Sequence, residues 1–148
     1  MRADLRVGTW LLEAHRERGQ YVVQNLNTNP KLPFGEAEFD GAGICVPIDY
    51  LTNPVAVLRE VERVLNVGSP VVVTFSNHCF LTKVVAIGHR LDGQGHVRLV
   101  EEYLREAGNF ENVRGHDCSP RRLFSDPLYA VIGESAGPHN NAEPKERV

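Results

Sequence analysis

FDGAGICVPIDYLTNPVAVLREVERVLNVGSPVVVTFSNHCFLTK, residues 39–83, decides the fold. It reads as strand, loop, helix, turn, strand. Phe39-Asp40 opens a strand over residues 39–46, which Pro47 ends. Gly41 and Gly43 within it are expected to admit a neighbouring backbone or helix. Asn53-Pro54 starts a helix, because Asn supplies a capping oxygen and Pro a preset φ in the first turn. Val57, Leu58, Val61, Val64 and Leu65 recur at helical spacing, with Arg59, Glu60, Glu62 and Arg63 expected on a solvated face. Gly68 is the expected stop. Val71-Val72-Val73-Thr74-Phe75 is apolar almost throughout, as suits a strand covered on both faces. Two strands joined by one helix make a right-handed βαβ unit.

Upstream, Val7, Trp10, Leu11 and Ala14 fall at helical spacing and predict an amphipathic helix over 5–18, anchored by Trp10 and stopped by Gly19. Tyr21-Val22-Val23 is a short strand of β-favouring residues. It runs into the polar loop Asn25-Leu26-Asn27-Thr28-Asn29-Pro30. Downstream, residues 76–80 form the loop beyond the apolar strand. A helical region follows over 82–107, broken near 93–95, then strands over 110–118 and 127–133. No helix separates the last two strands, so they pair antiparallel at one edge. Residues 1–135 form one α/β domain, and 136–148, poor in apolar residues, a loose tail.

The 148 residues suffice for one domain with a real core, and 42% hydrophobic content is ordinary for a globular chain. A net charge of -3 and pI near 6.1 lack the basic footprint of nucleic-acid binders. No apolar run approaches the roughly 18 residues of a membrane span. Three cysteines make no disulfide framework and suit a reducing, cytoplasmic setting; Cys45 is expected to pack as a small hydrophobe. His78, Cys79, His116 and Cys118 are not at metal-ligand spacing, so no metal is expected.

Leu32-Pro33-Phe34, Phe39-Asp40, Tyr50-Leu51, Pro54, Arg63-Val64-Leu65, Gly68 and Val71 to Phe75, taken in this order, resemble the carboxyl-terminal part of class I S-adenosylmethionine-dependent methyltransferases. The segments FSNHCFLTK and SDPLYAV are similar to a methyltransferase type 11-like subgroup. The resemblance covers roughly residues 20–135. It implies a truncated Rossmann-like sheet, mostly parallel, with an antiparallel edge hairpin and without the family's first two strands. It also implies S-adenosylmethionine as cofactor and a small-molecule methyl acceptor. The Gly-rich strand-to-helix loop that holds the cofactor in this family has no counterpart before residue 20. Neither Gly41-Ala42-Gly43 nor Gly93-Gln94-Gly95 lies in a strand-to-helix turn.

By resemblance, the cofactor-binding candidates are Asn25, Leu26, Val46 and Pro47. The substrate-binding candidates are Asp49, Tyr50, Ser76, Asn77 and His78, with His78 suited by its pKa to act as a base. No catalytic residue is assigned, because transfer from an activated sulfonium rests largely on positioning. Two functions are expected from these residues. One is a methyltransferase, weak or inactive in this form. The other is a non-catalytic remnant of the fold, pairing with itself through an exposed sheet edge. A third expectation is a coding start upstream of Met1. Nucleic-acid and membrane partners are not expected.

Overall fold

The computed structural model describes residues 4–7, 11–15, 20–45, 51–76, 93–121 and 126–137. In chain order the elements are β1 (Asp4–Val7), β2 (Leu11–His15), β3 (Gln20–Val23), β4 (Gly41–Cys45), α1 (Pro54–Val64), β5 (Pro70–Phe75), α2 (Gly93–Ala107), β6 (Phe110–Asp117) and β7 (Tyr129–Ser135). The strands form one sheet in the order β3-β2-β1-β4-β5-β7-β6. β1 pairs parallel with β4, and β4 with β5; the other four pairings are antiparallel. Only β2 and β7 therefore run against the other five strands.

The helix at the centre of the sequence forms as its residues dictate. The Asn53 side chain accepts the N–H of Ala56 at 3.1 Å, and Pro54 fills the first turn. Val57, Leu58, Val61 and Val64 are sealed from solvent. They pack with Ala42 and Ile44 of β4 and with Val71, Val73 and Phe75 of β5 in one core. α2 joins this core through Val97, Val100, Leu104 and Ala107 and lies against both α1 and the β6–β7 pair. On β5 the alternate residues Val72 and Thr74 are only half-buried. The described helices thus lie on one face of the sheet, the face of Val71, Val73 and Phe75.

The Leu-Pro-Phe segment is held to α1 by backbone and side chains together. The Leu32 N–H donates to Glu60 Oε2 at 2.9 Å, and Arg63 donates to the Leu32 carbonyl at 3.1 Å. Arg63 also forks onto both Glu60 oxygens, at 3.0 and 2.8 Å. Leu32 is buried, and Phe34 meets Phe39 edge-on with ring centroids 5.1 Å apart.

The α/β class, the Rossmann-like sheet and the antiparallel hairpin of β6 and β7 stand as read from the sequence. The amino-terminal third is built differently. Where a helix was expected over 5–18, β1 and β2 form an antiparallel pair, Val7 opposite Leu12 and Asp4 opposite His15. Asp4-Leu5-Arg6-Val7 alternates with period two, and β1 satisfies the edge of β4. That tertiary demand outweighs a helical spacing of four residues. Trp10, its expected anchor, lies outside the described residues.

Four local expectations also change. Cys45 ends β4 exposed, because Ala42 and Ile44 take the core positions of that strand. Among the described residues, nothing lies within 4 Å of where a Gly43 Cβ would stand. Glu62 is buried, not solvated: its position four residues after Leu58 places it on the covered stripe. α1 ends at Leu65 rather than Gly68, whose φ of 80° instead serves the turn closed by Ser69 N–H to the Asn66 carbonyl at 3.0 Å. Of the helical region expected over 82–107, residues 82–92 lie outside the described residues, and α2 spans Gly93–Ala107. Residues 138–148 of the expected tail lie outside the described residues.

Candidate ligand site at the carboxyl edge

The order β3-β2-β1-β4-β5 is that of doubly wound α/β sheets, in which the chain reverses its direction of progress between β1 and β4. Ligands in such sheets bind beyond the carboxyl ends of the strands flanking this point. Here Val7 and Cys45 end the flanking strands, Phe75 ends the next and Val23 the outer one. The antiparallel β7 begins at the same edge, with Tyr129 opposite Phe75, and β6 ends there with Asp117 opposite Tyr129.

Asn25 and Leu26 leave β3 at this edge. Asn25 is exposed, and its side chain accepts the N–H of Asn27 at 3.0 Å, closing a turn. Asn29 does the same for Lys31 at 3.1 Å. Leu26 is 3% exposed and belongs to the core cluster with Leu51, Val57 and Leu58. Only its backbone remains to meet a ligand. Ser76 follows β5, half-buried. Val46, Pro47, Asp49, Tyr50, Asn77 and His78 lie outside the described residues.

One residue that sequence reasoning passed over joins two of these loops. Asn27 Oδ1 accepts the N–H of Thr52 at 2.9 Å and lies 3.4 Å from its hydroxyl. The loop after β3 is thereby tied to the segment that enters α1. Gln24 gathers the same loop by donating to the carbonyls of Asn29 and Lys31, both at 2.7 Å. Three closely spaced asparagines were the available signal, since local turns use only two of them.

At the other side of the same edge, Phe75, Tyr129 and His96 form an aromatic plug. Phe75 stacks on Tyr129 at 5.8 Å between centroids and lies 6.3 Å from His96. Phe75 and His96 are both buried, so this part of the edge is filled by side chains. Asp117 is held below the ordinary carboxylate range by the hydroxyl and then the N–H of Ser119. Among the described residues, no group of three His, Cys, Asp or Glu side chains could hold a metal ion.

A grip on S-adenosylmethionine of the expected kind needs a strand, a Gly-rich turn and a helix whose N-terminal amides face the ligand. β1 has the right place beside β4, yet only three residues, 8–10, separate it from β2. Three residues cannot contain a helix. The residues present do not fit the cofactor in that manner.

No family model and no curated protein matches the chain. Solved structures do match its fold. A chain from the complex of the Haloferax volcanii Trm112 methyltransferase activator with a methyltransferase superposes with a TM-score of 0.56 at 16% identity, over 80% of this chain and 61% of that one. The cyclase SpnF gives 0.53 at 16% identity, over 74% and 55% of the two chains. A SAM-dependent methyltransferase from Thermotoga maritima gives 0.51 at 16% identity, over 72% and 60%. The fold is that of class I SAM-dependent methyltransferases. The chain spans less than two thirds of each structure. The presence of a cyclase among them means that the fold does not fix the reaction. Among the described residues, no helix is long and apolar enough to cross a membrane.

Proposed function

We propose that these 148 residues form a methyltransferase-like fold that holds S-adenosylmethionine weakly or not at all and acts as a non-catalytic interaction module. The observation behind this reading is the three-residue span between β1 and β2, which takes the place of a Gly-rich loop and helix. The burial of Leu26 supports it, because a position expected beside adenine is instead occupied in the core.

The role is protein contact, within a cytoplasmic setting. The Haloferax volcanii structure, a complex of a methyltransferase activator with a methyltransferase, offers a precedent for contact between a fold of this type and another protein. The catalytic alternative is methyl transfer to a small molecule bound near Ser76, Asp49 and Tyr50. It requires the cofactor first.

Calorimetric titration with S-adenosylhomocysteine separates the two. The expected result is no measurable heat of binding up to millimolar ligand. A micromolar dissociation constant would overturn the non-catalytic reading.

A further inference from the structure

Both described helices lie on the sheet face of Val71, Val73 and Phe75. The amino-terminal connections add no helix to the other face. Residues 8–10 join β1 to β2 and residues 16–19 join β2 to β3, spans too short to carry a helix back along a strand. Yet β5 is nearly apolar on both sides, a pattern that belongs to strands covered on both. Its Val72 is half-buried, whereas Val71 and Val73 are sealed.

Residues directly opposite one another in the ladders share a face, so the registers arrange this second face in rows. One row runs Arg114, Ile132, Val72, Gly43 across β6, β7, β5 and β4. The next, toward the start of β5, runs Glu111, Glu134, Pro70. The first row is a cation followed by an apolar strip. The second sets two like charges directly opposite, which disfavours the ladder unless a cation lies near. Asn112 donates to Glu134 at 3.0 Å but brings no charge. Among the described residues, Glu111 and Arg114 are exposed and form no ion pair.

We infer, on the basis of the non-catalytic reading above, that this face is an interface between two copies of the chain. The copies stack sheet on sheet about a two-fold axis that runs across the strands, between the two rows. That axis sets Arg114 of each copy against Glu111 and Glu134 of the other, and Val72 against Pro70. The charge order selects a second copy as the occupant. Acid and base stand on adjacent rows of the same two strands, so the reversal imposed by the two-fold brings opposite charges together twice. Each strand also lies over its own counterpart, and the contact follows the width of the sheet instead of one edge. Seven strands about 4.8 Å apart span roughly 30 Å, which brings the ~800 Å² per copy of a specific interface within reach.

Sedimentation equilibrium from micromolar to near-millimolar protein reads this interface through a charge exchange, with circular dichroism monitoring the fold of each variant. The parent should show a monomer–dimer equilibrium. Arg114→Glu, and separately Glu111→Lys/Glu134→Lys, should each weaken self-association at least about tenfold, because each sets like charges together. An equimolar mixture of the two variants should dimerise as the parent does, since both contacts of the mixed pair are again opposite in charge. Should the double variant fail to fold, Glu111→Lys alone takes its place in the mixture. A strictly monomeric parent, a dimer indifferent to Arg114→Glu, or folded variants whose mixture stays monomeric overturns the inference. Micromolar binding of S-adenosylhomocysteine by a dimer that obeys the charge exchange would defeat the non-catalytic reading and leave the interface intact. A monomer that binds no cofactor would do the reverse.

Discussion

Asn27 and Thr52, distant in sequence, are joined through one side-chain oxygen that accepts the Thr52 N–H at 2.9 Å. This bond crosses from the loop after β3 to the entrance of α1, two segments that the chain otherwise connects only by way of β4. Asn27→Ala should lower unfolding free energy by about 0.5–1.5 kcal/mol, read by urea denaturation. Asn27→Asp keeps the acceptor and should remain near the native value. Equal losses in the two variants would show that the bond contributes nothing.

Glu60 gives the fold an acid-sensitive point. Burial of its carboxyl opposes ionisation. The hydrogen bonds from Arg63 and the Leu32 N–H, with the charges of Arg63 and Lys31, outweigh that burial and hold its pKa below the ordinary 4.5. A depressed folded pKa stabilises fully above the unfolded value and is lost as pH falls through the folded one. Stability should therefore decline below about pH 4.5, and Glu60→Gln should flatten that part of the profile. Parallel profiles for the two proteins would refute this role.

α2 presses on β6 at Gly115. A Cβ there would overlap Val97 Cγ1 and lie 3.0 Å from Glu101 Oε1, the atom that accepts the Gly115 N–H at 2.8 Å. Gly115→Ala should cost about 1–3 kcal/mol by forcing the helix off the strand. At Gly133 the same addition meets Val113, Val71 and Phe110 at ordinary contact, 3.5 to 3.6 Å. Gly133→Ala should stay within about 1 kcal/mol of the parent in the same thermal melts.

Glu62 ties α1 to the end of β7 and the start of β6. Its two oxygens lie 3.3 Å from the Ser135 hydroxyl and 3.3 Å from the Asn109 amide. Ser135 is fully buried, so Glu62→Ala leaves a hydroxyl without that acceptor and should destabilise by about 1–3 kcal/mol in chemical denaturation. Full retention of stability would mean that another acceptor replaces it.

What the sequence discloses follows from how locally each feature is encoded. Asn53-Pro54 and the apolar stripe of α1 carry their own signals, and so do the apolar run of β5 and the strand–strand succession of β6 and β7. β1 and β2 do not. Their residues satisfy a short helical pattern about as well as an alternating one, and the choice lies with the edge of β4, many residues away. Glu62 was misread for a related reason. Charge suggested solvent, whereas Ser135 and Asn109, distant in sequence, supply its partners. The site loops were legible as loops, yet Asn27 could not be paired with Thr52 before the fold brought them together.

The position of β7 sets an order for completing the molecule. Among the described strands β7 comes last in the chain, yet it lies between β5 and β6. Among the described strands, β5 has no other neighbour on that side and β6 has none besides β7. A chain lacking β7 would therefore hold α1 and α2 against β4 and β5, with β6 unpaired. The described part of the sheet is joined from within, by the strand that comes last among those described.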